Sequence, residues 1–243
     1  MDIEVCAFSI ESCLNAQQAG ARRVELCAGL YEGGTTPSHG MIARARQLLQ
    51  IQLYVMIRPR GGDFCYDEEE FEVMRQDIQT AKNLGADGVV FGILNPDGTI
   101  DVKRNAELVQ WARPMGVTFH RAFDRALAPL QALEDVIQTG AERILTSGQQ
   151  PTAIAGRDLL KTLVNAAAGR IEIMAGAGVN SQNALSLAQT GAHALHLTGK
   201  TTRAGQMTFK NTNLTMASVV SVDEDSIVFS SVDNIEAVKN VVG

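Results

Sequence analysis

The sequence predicts an α/β chain folded as a single (β/α)8 TIM barrel spanning residues 1–243, with an irregular segment before the C-terminal helix. Three observations carry that expectation. One short phrase recurs four times; eight short apolar stretches alternate with helical ones; and the whole fits in 243 residues. The phrase reads AGARRVELC (19–27), LGADGVVFG (84–92), TGAERILTS (139–147) and TGAHALHLT (190–198), each time Gly-Ala, two residues, then a short apolar run. A glycine there suits the left-handed position just past a helix C-terminus. Each phrase therefore reads as a helix end, a tight loop and the next strand.

The elements follow in order. Strand one is IEVCAF (3–8), and strand two lies within 19–27. Ser38, after Pro37, marks the start of the next helix, and strand three is LYVMIR (53–58). Asp67 precedes Glu68, Glu69 and Glu70, acids well placed at a helix N-terminus. Strand four lies within 84–92, and Asp101 opens a helix containing Leu108, Val109 and Trp111. Strand five is VTFHR (117–121), and Pro129 suits a first helical turn. Strand six lies within 139–147, strand seven is IEIMA (171–175), and Asn180 and Ser181 open a helix containing Leu185, Leu187 and Ala188. Strand eight lies within 190–198, residues 200–230 are irregular, and a last helix falls near 232–242. A doubly wound open sheet is the alternative, but the spacing is even and no GxGxxG follows the first strand.

Composition narrows the function classes. The chain is 45% hydrophobic and 20% charged, with formal net charge -6. An acidic surface argues against nucleic acid or an anionic membrane as partner. No apolar run reaches the roughly 20 residues of a membrane span, and the start, MDIEVCAFSI, is acidic, unlike a signal peptide. Cys6, Cys13, Cys27 and Cys65 show no CxxC spacing, so reduced thiols and a cytoplasmic location are expected.

Barrel strands alternate between the central core and the surrounding helices. With Ile3, Val5, Val24, Leu26, Val55, Ile57, Val117, Phe119, Leu195 and Leu197 facing the helices, the inward set is Glu4, Cys6, Glu25, Cys27, Met56, Arg58, Thr118, His120, His196 and Thr198. Barrel interiors are ordinarily branched aliphatics, and buried charge is costly unless paired. A satisfied ion-pair layer such as Glu25 with Arg58 is one account. The other is a functional site, because these residues cluster at the C-terminal strand ends where barrel enzymes act. Neighbouring loops add RPRGGDF (58–64), with Arg60 and Asp63; FHRAFD, with Arg121 and Asp124; Ser147; and the glycine loops AGAG (175–178) and HLTGK (196–200). Gly176 and Gly178 suit either close approach of backbone N–H groups to an anion or simple tight turns.

The segments IEVC, RVELCAGLYEGGTTPS, VMIRPRGGDFCY, GADGVVFGIL, VTFHRAFD, RILTSG and IMAGAGV, running from about residue 2 to about residue 212, resemble the CutC family, named for copper homeostasis. The resemblance implies a TIM barrel, a cytoplasmic location, a homodimer and a link to copper tolerance. Cys6 and Cys27 match the family's IEVC and VELC and occupy equivalent places on neighbouring strands about 4.8 Å apart, with Met56 and Met174 as possible neighbours. Cu(I) prefers such soft donors, although two buried thiols also serve as small hydrophobes. Two functions are expected to compete with each other. One is Cu(I) binding at Cys6 and Cys27 in copper homeostasis. The other is an enzyme acting on a small anionic or phosphorylated metabolite, with Glu25, Arg58, His120 and Asp124 catalytic. In that reading Asp124 orients Arg121 or His120, and Arg60, Asp63, Arg121, Ser147, Gly176, Gly178, His196 and Thr198 bind ligand. An idle barrel acting as a binding module ranks third, because a polar mouth costs stability. Schiff-base chemistry lacks a lysine inside the barrel, with Lys200 only following strand eight.

Overall fold

A computed structural model of the chain describes residues 1–210, 214 and 223–243. Eight parallel strands close into a barrel in sequence order: β1 (Asp2–Ala7), β2 (Arg23–Leu26), β3 (Gln52–Met56), β4 (Gly88–Phe91), β5 (Gly116–Phe119), β6 (Arg143–Thr146), β7 (Glu172–Gly176) and β8 (Ala194–Leu197). Between them run α1 (Ile10–Gln18), α2 (His39–Leu48), α3 (Glu68–Asn83), α4 (Val102–Ala112), α5 (Pro129–Thr139), α6 (Arg157–Ala167) and α7 (Ala184–Ala188), and α8 (Val232–Val242) ends the chain.

The start signals work as side-chain caps. Ser38 accepts from Met41 N–H and Asp101 from Arg104 N–H. Asp67 and Glu70 form a reciprocal capping box on α3. Pro129 opens α5. The glycines of the recurring phrase, Gly20, Gly85, Gly140 and Gly191, all have φ between 73° and 86°, the left-handed region where a Cβ is strained. The seventh helix is shorter than expected. It begins at Ala184, because residues 180–183 form a turn in which the Asn183 side chain accepts from Asn180 N–H.

Burial follows the alternation. Ile3, Val5, Val24, Leu26, Val55, Ile57, Val117, Phe119, Leu195 and Leu197 belong to the core between strands and helices. Two small clusters lie apart from it: Cys6, Cys27, Tyr54, Met56 and Val90, and separately Leu145, Met174 and Ala194. The barrel interior is therefore not filled with aliphatic layers.

The stretch after β8 is more ordered than expected. β9 (Lys200–Ala204) and β10 (Ser226–Ser230) pair antiparallel outside the barrel. Ser230 pins this hairpin to α1, its N–H donating to Ser12 Oγ at 3.0 Å and its carbonyl accepting from Asn15 Nδ2 at 2.8 Å. Residues 211–213 and 215–222 of the expected irregular segment lie outside the described residues. Among the described residues no helix is long and apolar enough to cross a membrane.

Candidate metal centre

The site grows from the pairing of β1 with both its neighbours. Cys6 sits opposite Glu25 on β2, and Glu4 opposite His196 on β8. Cys27 lies one pleat beyond Glu25, so the two thiols are not at equivalent places as the sequence suggested. Their side chains converge nonetheless, with Cys6 Sγ and Cys27 Sγ 3.7 Å apart. Cys27 Sγ also lies 3.6 Å from Glu25 Oε2, as does His196 Nε2. One ligand atom each from Cys6, Glu25 and His196 fall within 4.8 Å of one another, all three residues buried. Gly34, at φ 96°, closes over the thiols: a Cβ there would meet Cys27 Sγ at 3.3 Å and Met56 Cε at 3.4 Å. Met56 is thus beside the pair, whereas Met174 packs with Leu145 and Ala194 and is not.

His196 is held from behind. Its Nδ1 lies 2.8 Å from Glu4 Oε1, and Glu4, fully buried, is paired with buried Arg23. Arg23 donates to Gln52 Oε1 at 3.1 Å and lies over the Tyr54 ring. Burial pushes Glu4 up, but the His196 hydrogen bond and the charges of His196 and Arg23 bring it down to about 2. Burial opposes the charge on His196, yet the surrounding Glu25, Cys6 and Glu4 carry it well above its usual value. The hydrogen bond from Cys27, helped by His196 against the cost of burial, lowers Cys6 to about 5, while burial and the Cys6 charge push Cys27 well up. Burial likewise raises Glu25, and its Oε1 has no hydrogen-bond partner. One thiolate, a second thiol, an imidazole fixed through its far nitrogen by a carboxylate, and an unpaired carboxyl oxygen fit a metal ion as ligand set and backing.

A cavity of about 280 Å³ opens above these groups at the C-terminal strand ends, and Cys6, Glu25, Arg58, His120, Arg121 and His196 reach it. Gly178 and Thr198 line it too, while Cys27 lies behind its wall. Lys200 stands at the mouth, exposed, not inside the barrel.

The sequence model of the CutC family matches residues 1–201, which contain all eight barrel strands. The chain belongs to the CutC family. The family protein CutC of Bacteroides thetaiotaomicron is 51% identical over 223 residues, covering 91% of this chain and 90% of that one. The human copper homeostasis protein cutC homolog is 44% identical over 240 residues, covering 98% and 88%. The crystal structure of the putative copper homeostasis protein CutC from Streptococcus agalactiae superposes with a TM-score of 0.78 at 36% identity, over 82% of this chain and 98% of that one.

On this CutC barrel the remaining expected residues divide. Arg58 does not pair with Glu25. Its guanidinium donates to the carbonyls of Glu32 (2.7 Å), Gly34 (3.0 Å) and Gly62 (3.0 Å), tying the loops after β2 and β3 together. Arg60 and Asp63 are bonded to each other, and Arg60 also to Glu70; neither lines the cavity. β5 ends at Phe119, so His120 and Arg121 belong to the turn that follows, with His120 Nδ1 accepting from Ala122 N–H at 3.3 Å. Asp124 orients Arg121 (2.7 Å), not His120. Its carboxylate also accepts from Ser147 N–H, Ser147 Oγ, Gln149 N–H and Thr146 Oγ1, so Ser147 serves the loop after β6. Gly176 ends β7 beside His196. Asp124→Asn is expected to cost about 1.5–3 kcal/mol, the worth of a charge-assisted contact; urea unfolding checks it, and an unchanged midpoint would remove Asp124 as the anchor of that loop.

Glu4 and Arg23 are what sequence reasoning missed. The inward parity marked Glu4, but its partner was hidden until β1 and β8 were known to pair. No spacing pattern joins residues 192 positions apart.

Proposed function

We propose that this chain binds Cu(I) as its cargo in copper homeostasis, through Cys6 and Cys27 with His196 and Glu25 completing the set. The observation that carries the reading is the convergence of two sulfurs 3.7 Å apart with an imidazole nitrogen and an unpartnered carboxyl oxygen, inside an otherwise closed barrel. Cu(I) favours thiolate sulfur and accepts imidazole, and the low-lying Cys6 thiol supplies the anionic donor. The names of the human and streptococcal relatives, copper homeostasis proteins both, support copper as the metal. The geometry also supports exchange: Cys6, Glu25 and His196 face the cavity, so an ion enters and leaves through the mouth. Glu4 orients His196, Arg23 orients Glu4, and Met56 with Gly34 covers the Cys27 sulfur.

The test is an anaerobic competition titration against a coloured Cu(I) chelator. Wild type is expected to take up one Cu(I) per chain, and a Cys6→Ser/Cys27→Ser variant none. Equal uptake by both proteins rejects these ligands.

A further inference from the structure

A second cavity, of about 290 Å³, adjoins the first, and the two share Gly178, Val179, Leu197, Thr198 and Lys200 in their walls. It lies between the loops after β7 and β8 and the start of α8, where Asn234 lines it. Among the described residues no carboxylate lines it, its single charged side chain is Lys200, and Lys200 has no ion pair.

The backbone there is held in an unusual way. The Ala177 carbonyl accepts from Ala153 N–H at 2.9 Å. The Gly178 carbonyl accepts from the side-chain amides of Asn180 (3.2 Å) and Asn183 (2.9 Å). In a planar trans peptide the following N–H points opposite to the carbonyl. Gly178 N–H and Val179 N–H are thereby turned away from these partners, toward the cavities they line. Among the described residues, neither of them, nor the N–H groups of Thr198 and Gly199, has a hydrogen-bond acceptor, while the Ala177 N–H faces the His196 carbonyl across the sheet. Ala177 holds φ 86° and Gly178 φ 72°, an arrangement costly for an alanine. Consecutive bare N–H groups in such a turn make an anion-binding concavity, and loops seven and eight are where barrels place phosphate.

An independent sign of a ligand comes from the adjoining cavity. His120 is only 4% exposed, its Nδ1 accepts a backbone hydrogen bond, and so its proton sits on Nε2, which has no partner.

We propose that the N–H groups of residues 178–179 and 198–199, together with Lys200, bind the phosphate group of a small phosphate monoester, whose organic part lies in the adjoining cavity under His120. A dianionic oxyanion satisfies several N–H donors at once and pairs with Lys200. The shared wall lets one molecule occupy both cavities, with the His120 ring in the wall against its organic part. This goes beyond metal binding, which uses none of these N–H groups.

The experiment follows backbone amide resonances during titration with inorganic phosphate and with glycerol phosphate, at fixed ionic strength. Saturable shifts are expected at Gly178, Val179, Thr198 and Gly199 with both, and at His120 with the monoester alone, which should bind more tightly. Lys200→Ala, a change at an exposed side chain, is expected to weaken both about tenfold or more, the loss of one charge-assisted contact. Cys6→Ser/Cys27→Ser should leave phosphate affinity unchanged, so that failure of the metal reading and failure of this one appear in different measurements. Absence of saturable shifts at these amides, or equal affinity in Lys200→Ala, overturns the site. A monoester no tighter than inorganic phosphate overturns the placement of its organic part.

Discussion

Arg23→Met is expected to destabilise the protein by about 3–5 kcal/mol, the usual cost of removing one partner from a buried ion pair. Arg23 and Glu4 are 3% and 0% exposed as side chains, and among the described residues the other side chain bonded to Glu4 is His196. Without the guanidinium, Glu4 either takes up a proton or remains as a buried charge compensated by the His196 imidazole and, at longer range, by Arg143. Methionine fills much of the space over Tyr54 but donates nothing to Glu4 or to Gln52. For a chain of this length the loss corresponds to a fall in Tm of roughly 10 °C. Adding Glu4→Gln to Arg23→Met should recover part of it, because the amide needs no counter-charge; losses that simply add would show that the two residues act separately. The same variant carries a functional readout. Glu4 orients His196, and loss of such a backing contact typically lowers metal affinity about 10- to 100-fold. Unchanged Cu(I) affinity in Arg23→Met would show that the chain behind His196 supports the fold alone.

Acid is expected to unfold the protein through His120 before most carboxylates are protonated. Burial, with the nearby Arg58 charge, lowers this imidazole from 6.5 to about 3. The unfolded chain therefore takes up a proton that the folded chain refuses. The stability involved is fully present above pH 6.5 and drains away as pH falls toward 3. The slope approaches 1.36 kcal/mol per pH unit for one proton, or about 5 kcal/mol over the whole window. His120→Phe removes the proton site while keeping a ring beside Phe64, whose centroid is 4.9 Å away. Between pH 6.5 and 4.5 wild type should lose about 2.3 kcal/mol more than the variant in urea unfolding. Parallel curves would mean that His120 is not the buried neutral group described.

How much of this was legible beforehand depends on the kind of contact. Val5, Val24 and Phe119 declare their face by alternation, because a strand has a period of two and its apolar members must reach the helices. Gly20, Gly85, Gly140 and Gly191 declare helix ends because only glycine takes the left-handed turn cheaply. Register is another matter. The offset that sets Cys6 opposite Glu25 rather than Cys27 has no local signature, so the thiols were matched to the wrong rung. Arg58 was given a carboxylate partner because charge is visible in a sequence. The carbonyls of Glu32, Gly34 and Gly62 that hold it are backbone groups every residue has, and only loop geometry selects them. The hairpin of β9 and β10 has no clear signal in the sequence because KTTRA, polar up to Ala204, shows no alternation.

The bond between Glu4 and His196 has a consequence in time. Its partners stand on the first and last barrel strands, 192 residues apart. Domains made during synthesis fold as their residues emerge, but a ring of strands has no ends to join until the eighth has left the ribosome. Until then Cys6 and Cys27 are available while the imidazole that completes their surroundings has not been made. Competence to hold an ion at this place therefore arises at one moment, with closure of the ring. A nascent or truncated chain lacking β8 carries the thiols without the site, and occupancy of the finished site would report that synthesis and folding are both complete.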